Sequence, residues 1–496
     1  MLDMVFIQPP FWGTTTPPLG LATLKAKADL VGYRTKCIDL NIELYQWASK
    51  KDRKFWQLSQ GYSSCENKTE VLNFYLEFHS FLESLKDGLG HFDPTQVWIT
   101  VQSSSSLFTS LLVGELRDFD VVLGGPQIWS FMEAGLEVSK LFPGIFNYYS
   151  GEGELLIGRR NDDGHVKDLD SLPFPDFADF DLMDYDFPNS LPISFGRGCI
   201  NRCVYCSERG LHGGVYRYRT GISVFEEMVY QISMNPRVFF FHFHDSVSNG
   251  NVKELEAFCD LMIDSGLGKR VRWSMGNSTI RKEMRRPLYE KMKRAGCTFI
   301  GYGLETPVPR LLRAIGKSSA VGVDLEAVVR EGFEAGIRIN LNFMFGLPGE
   351  TDEDFDRTIQ FVRENRDYIY QVNPALNLCG FFPGSRGYRN PGKYGIRLSD
   401  NPITWTSVDD KNNYTVRSER FRRFVEEAGK LGIRNFFGET PVPAVGSEDL
   451  HYPITLSNYD NHENVAWFVH HLAARMFYRL IRRGKALIRR FYYARL

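Results

Sequence analysis

The chain has 496 residues, 43% hydrophobic and 24% charged, with 59 Lys+Arg against 60 Asp+Glu and a net charge of −1. That length suits two or three domains, and the near-zero charge argues against a general nucleic-acid or anionic-membrane surface. Eight cysteines are too sparse for a disulfide framework. Met1-Leu2-Asp3-Met4-Val5-Phe6 lacks a basic segment followed by a long apolar run, and no apolar stretch approaches about 18 residues. The expectation is a cytoplasmic protein without a signal peptide or membrane-spanning helix.

The first ~155 residues alternate short strands and helices, which favours a parallel sheet. Strands are expected at Asp3–Gln8, Arg34–Asp39, Val97–Val101, Phe119–Leu123 and Phe146–Ser150, with a helix running through Ala28. Turn-forming residues follow the strands in order: Pro9-Pro10, then Ser105-Ser106-Leu107, Gly124-Gly125-Pro126 and Gly151-Glu152-Gly153-Glu154. Each alone is an ordinary strand-to-helix turn, but glycines at the carboxyl ends of parallel strands also let backbone approach a ligand. The ordered set resembles the Rossmann-like cobalamin-binding domain that precedes a group of radical enzymes. The resemblance implies that Ser105, Leu107, Gly124 and Gly125 surround the nucleotide tail of cobalamin. The Asp-x-His-x-x-Gly motif of other cobalamin proteins is absent, and no histidine precedes His79. That puts an axial histidine in doubt and leaves open a vestigial domain without corrin.

Asn161-Asp162-Asp163-Gly164 and Leu172-Pro173-Phe174-Pro175-Asp176 read as a polar, proline-rich connector. The expected units are 1–158, a linker at 159–190, 191–385 and 386–496. From Pro192 to about Gly384 the pattern is strand then helix, repeated about six times, which suits a partial (β/α)6 barrel. Directly after the first of these strands, Pro192–Gly196, stands Cys199-Ile200-Asn201-Arg202-Cys203-Val204-Tyr205-Cys206. Three thiols so spaced can bind three irons of a [4Fe–4S] cube and leave the fourth open for chemistry. A structural zinc site wants a fourth ligand that is missing nearby. The other five cysteines, Cys37, Cys65, Cys259, Cys297 and Cys379, read as buried hydrophobes.

Cys-x3-Cys-x-aromatic-Cys after a first strand is the signature of the radical S-adenosylmethionine (SAM) enzymes, which this sequence resembles. The resemblance implies that Cys199, Cys203 and Cys206 hold the cluster, whose open iron chelates SAM, and that Tyr205 lies beside adenine. It further implies that SAM is cleaved to a 5′-deoxyadenosyl radical, with electrons from an external flavodoxin- or ferredoxin-type donor.

Later strands end in candidate SAM contacts. Val238–Asp245 ends in Asp245, Val271–Met275 follows, Thr298–Glu305 ends in Glu305, and Arg338–Phe345 runs into Gly346-Leu347-Pro348-Gly349-Glu350-Thr351. Asp245 has an alternative use as a helix N-cap, but in the family its position sits beside the methionine end of SAM. Glu305, in Gly-Leu-Glu-Thr, matches an element that accepts hydrogen bonds from SAM. Gly346 and Glu350 match the motif near adenine, where the glycines also serve as turns and Glu350 as a cap for the next helix. Arg219 matches a basic position that pairs with SAM's carboxylate or its partner acid; a solvated arginine is the alternative. His242 and His244 share one face of their strand, pointing at substrate or held in the core by hydrogen bonds.

Residues 386–455 are rich in turn formers and aromatics, including Trp405, Tyr414, Phe436 and Phe437, and in the family such segments cover the barrel mouth. From Arg475 to the end there are eight basic residues and no acid. That tail fits a helix packed on the domain with a solvated basic face, the favoured reading, or peripheral contact with an anionic membrane. The reading as a whole is a cobalamin-dependent radical SAM methyltransferase acting on an unactivated carbon of a small molecule or lipid-like precursor. A radical cyclase, rearrangement or dehydration enzyme and a non-catalytic cluster- or corrin-binding regulator are the alternatives. No catalytic base is assigned, because hydrogen-atom abstraction needs none.

Overall fold

The structure is a computed structural model and describes residues 2–56, 65–158, 164–373 and 378–434. In the N-terminal part, β1 (Met4–Ile7), β2 (Thr35–Ile38), β3 (Gln96–Thr100), β4 (Val121–Gly124) and β5 (Asn147–Tyr148) form one parallel sheet in the order β2-β1-β3-β4-β5. All four residues of β1 are buried, as a central strand covered by helices on both faces requires. The chain leaves β1 for β2 on one side and then crosses to β3 on the other. That reversal opens a crevice at the carboxyl ends of β1 and β3, where sheets of this order take ligands. The fifth strand is shorter than its pattern suggests, two residues in place of five.

The segment read as a linker is docked rather than free. Asp179 accepts hydrogen bonds from Lys36 Nζ at 2.7 Å and from the Cys37 amide at 2.8 Å, and Tyr185 donates to Asp39 at 2.7 Å. Phe177, Phe180 and Tyr185 join Met4, Phe6 and Leu21 to the core of the second unit. Burial raises the Asp39 carboxyl to about 6, against the pull of the Tyr185 hydroxyl.

In the second unit β6 (Ser190–Ile193) leads into a small antiparallel hairpin, β7 (Gly196–Arg197) and β8 (Arg217–Tyr218). Then follow β9 (Phe240–Phe243), β10 (Arg272–Thr279), β11 (Cys297–Glu305), β12 (Arg338–Phe343) and β13 (Gln371–Asn373). Six of these strands make a parallel sheet in strict chain order, β6-β9-β10-β11-β12-β13, with helices at the crossovers. Each crossover advances one strand in the same direction, the topology of an incomplete (β/α) barrel. Close approach of β10 and β11 depends on glycine, since a Cβ on Gly301 would stand 2.3 Å from the Gly276 carbonyl oxygen.

Beyond the sheet, helix Tyr414–Lys430 packs against the same core through Phe421, Phe424 and Val425. Trp405, expected in a substrate-covering lid, is instead fully buried, donating from Nε1 to the Cys379 carbonyl at 2.6 Å. Tyr414 packs against the main core. Phe436, Phe437 and the basic tail from Arg475 lie outside the described residues. Among the described residues, no helix is long and apolar enough to cross a membrane.

Candidate active site

The three cysteines of the motif lie between β7 and β8, so one hairpin carries the whole loop. The loop is stitched to the neighbouring helix end: the Arg202 amide donates to Gly316 O at 3.1 Å and the Val204 amide to Ile315 O at 2.8 Å. Gly316 has φ +79°, and a Cβ there would meet the Arg202 carbonyl at 2.5 Å, so the approach needs glycine. Arg209 Nη1 donates to the Cys199 carbonyl at 3.2 Å.

Cys199, Cys203 and Cys206 are all free and partly buried, whereas the other five cysteines are free and fully buried, as read from the sequence. Burial pushes the Cys203 thiol up to about 11 and raises that of Cys206 well above its ordinary value, so metal binding must displace their protons. Among the described residues, no three His, Cys, Asp or Glu side chains converge on a point that would hold a single ion.

A buried cation stands beside this loop. Lys317 Nζ donates to Glu305 Oε1 at 2.8 Å, and its charge acts on Cys203 and Cys199. Glu305 sits at a bulge ending β11, with φ +67°, a conformation that non-glycine residues rarely hold away from functional sites. Lys317 belongs to no motif singled out in the sequence.

Asp245 follows β9. Its Oδ1 accepts the Gly196 amide at 2.5 Å, and burial raises the carboxyl to about 7; it caps no helix. The Ser248 hydroxyl supports the Asp245 carboxyl, whereas Ser278 Oγ on β10 and Asn340 Oδ1 on β12 are buried without a hydrogen-bond partner among the described residues.

Two expectations change. Arg219 is buried, not solvated: its guanidinium donates to Glu227, to Ser223 O and Oγ, and to Ser194 O. Of the two partners implied for it, Arg219 meets an acid, Glu227 on the next helix, while Ser223 and the Ser194 carbonyl take its other donors. Glu350 does not cap the following helix; Thr351 and Asp354 form the capping box. The Glu350 carboxylate turns inward to the Gly346 amide and to Arg420 Nη1 at 2.9 Å, and burial raises it to about 7 despite that arginine. Gly346, at φ +75°, faces the Arg417 side chain, which a Cβ would strike at 2.0 Å. Tyr205 packs on the small core that includes Val204, Leu311 and Leu347.

The two histidines of β9 and its end separate. His242 is a core residue, its Nδ1 3.0 Å from Ser274 Oγ. His244, just past the strand, is exposed and lines a cavity.

That cavity, about 740 Å³, lies between the carboxyl edges of the two sheets. Gln102, Gly124, Gly125 and Gly151–Glu154 line it from the N-terminal side, and Gly196, Arg197, His212 and His244 from the barrel side. Gly125, at φ +99°, is irreplaceable on backbone grounds, because a Cβ would stand 2.8 Å from both Thr100 Oγ1 and Val101 O. Ser105 and Leu107 lie behind this wall. Ser105 Oγ accepts the Gln102 amide at 2.9 Å and so shapes the turn, and Leu107 packs on the N-terminal core.

Sequence comparison matches residues 193–362 to the Radical SAM superfamily. An uncharacterized methyltransferase of Pyrococcus horikoshii is 24% identical over 359 residues, 64% of this chain and 74% of that protein. The bacteriochlorophyllide d C-12(1)-methyltransferase of Chlorobaculum tepidum is 26% identical over 225 residues, 45% of this chain and 47% of that one. Among solved structures, the radical SAM methyltransferase TsrM of Kitasatospora setae, with cobalamin and a [4Fe–4S] cluster bound, superposes with TM-score 0.56 at 17% identity. The match covers 81% of this chain and 82% of that one, and at that identity it shows a shared fold.

Proposed function

We propose that the chain, whose residues 193–362 match the Radical SAM superfamily, is a cobalamin-dependent radical SAM methyltransferase acting on a carbon of a small molecule. The observation that carries this reading is the cavity shared by the carboxyl edges of both sheets, since methyl transfer needs the corrin and the radical source in one chamber.

When bound, the cluster and SAM supply a 5′-deoxyadenosyl radical, and cobalamin supplies a methyl group. Cys199, Cys203 and Cys206 are the residues that would hold the cluster. Glu305, fixed by Lys317, and Asp245 present carboxylate oxygens to SAM's ammonium and ribose. Gly346 and Glu350, locked by Arg417 and Arg420, shape the adenine side, and Tyr205 packs beside it. Gly124 and Gly125, with the Gln102 turn set by Ser105 and Leu107, leave backbone room for the corrin tail. In this reading 1–158 is the corrin unit, 191–385 the radical unit and 386–496 the cover, with an external one-electron donor and a cytoplasmic setting.

The test is spectroscopic. Anaerobic reconstitution of the full chain with iron and sulfide is expected to give about four irons per chain, and the reduced cluster's electron paramagnetic resonance signal is expected to change when SAM is added. A signal that SAM leaves unchanged overturns SAM binding at the cluster.

A further inference from the structure

Glu152 stands at the end of the N-terminal sheet, in the turn that follows β5, and lines the shared cavity. Its carboxylate reaches into the barrel. Oε2 accepts from Arg217 Nη1 at 2.8 Å and from the Val166 amide at 2.8 Å, Oε1 accepts from Arg217 Nη2 at 2.6 Å, and Arg197 Nη1 stands 3.1 Å away. His212 and His165 flank it, each with Nδ1 within 3.7 Å. The neighbouring Glu154 accepts from Arg197 Nη2 at 2.6 Å. Hydrogen bonds from His212 and Arg217, with the charges of Arg197 and Arg217, hold the Glu152 carboxyl far below the usual carboxylate range, despite its burial.

The decisive point is where the two arginines sit. Arg197 is in β7 and Arg217 in β8, and the Cys199–Cys206 loop is the chain between them. One carboxylate of the N-terminal unit therefore grips both legs of the hairpin that carries the cluster cysteines. The same turn, Gly151–Glu154, is cavity wall. Arg217 is buried and Arg197 mostly so, which makes the forked pair strong and geometrically selective.

We propose that Glu152 is a positioning residue that couples occupancy of the N-terminal side of the cavity to the geometry of the cluster loop. Loading the cluster fixes the hairpin, the hairpin fixes Glu152, and Glu152 fixes the wall against which a corrin would lie. Linkage makes the effect reciprocal: a ligand on that wall orders the cluster loop to the same degree. The inference rests on the cobalamin and cluster assignments above.

The test measures hydroxocobalamin affinity by equilibrium dialysis on the full chain, cluster-loaded and cluster-free. Wild type is expected to bind at least about fivefold tighter when loaded, the low end of ordinary coupling. Glu152→Gln is expected to reduce that ratio to about one while iron content is retained; equal ratios in variant and wild type overturn the proposal. A purely structural loss would weaken both affinities alike and leave the ratio unchanged. Should Glu152→Gln fail to load its cluster, Arg217→Lys, which keeps the charge but loses the fork, decides: a ratio as large as wild type overturns the coupling. Failure of wild type to bind hydroxocobalamin in either state sinks the cobalamin assignment itself and the coupling with it.

Discussion

The ammonium of Lys317 lies 2.8 Å from the Glu305 carboxylate, both of them buried, and a Cβ on Gly303 would stand within 2.9 Å of both charged groups. A strand-end acid in a left-handed backbone conformation is thus held by one lysine, with a glycine leaving it room. Lys317→Met removes the ammonium that donates to that carboxylate and strands a buried charge, which costs about 3–5 kcal/mol in comparable pairs. The expected result in urea unfolding is a lower midpoint for Lys317→Met. The double variant Lys317→Met/Glu305→Gln should recover part of the loss, because the uncompensated charge is gone. No recovery would place the lysine's role elsewhere.

Gly124 and Gly125 are neighbours with different tolerances. A Cβ on Gly124 meets nothing closer than 3.9 Å, whereas one on Gly125 collides with Thr100 and Val101 at a φ of +99°. Gly125→Ala carries about 1–3 kcal/mol of strain and pushes the β3 and β4 ends apart at the cavity edge. Gly125→Ala is expected to lose retention of hydroxocobalamin on gel filtration, and Gly124→Ala to keep it. Equal retention in the two would remove the backbone argument for that edge.

Asp245 gives the fold a pH signature. Burial raises its carboxyl to about 7, against about 4 in an unfolded chain, so the folded state holds the proton more tightly. Below about pH 4 the group is neutral in both states and contributes nothing. From about 4 to 7 folding takes up a proton, so stability falls as pH rises, by about 1.4 kcal/mol per unit of separation. Urea midpoints at pH 5 and pH 8 are expected to differ more in wild type than in Asp245→Asn. An identical difference would show that the carboxyl is not shifted.

Much of the architecture is legible in the residues. The alternation of short apolar runs with helical spacing gives both parallel sheets, and the cysteine spacing marks the hairpin loop. Local signals fail where side chains choose partners from distant elements. Arg219 reads as available until Glu227, eight residues on along the next helix, turns inward to meet it. Glu350 reads as a helix cap, but Arg420 from helix Tyr414–Lys430 draws it into the core. Lys317 carries no motif at all, because its meaning comes from a strand end twelve residues earlier. In Gly151-Glu152-Gly153-Glu154 the glycines draw attention, while the pairings lie on the glutamates, with arginines 45 and 65 residues away in sequence. Trp405 shows the same limit: its composition context suggests a lid, and packing under Arg417, 4.4 Å from its ring, makes it core.

The central claim is that the chain cleaves SAM at a cluster on Cys199, Cys203 and Cys206 and uses the radical beside cobalamin for methyl transfer. Its most direct test is product analysis of the anaerobically reconstituted protein with cobalamin, reductant and labelled SAM. The account predicts 5′-deoxyadenosine together with S-adenosylhomocysteine, and neither from Cys203→Ala. 5′-Deoxyadenosine alone would retain the radical domain but contradict methyl transfer, and the absence of both products from wild type would contradict the account as a whole.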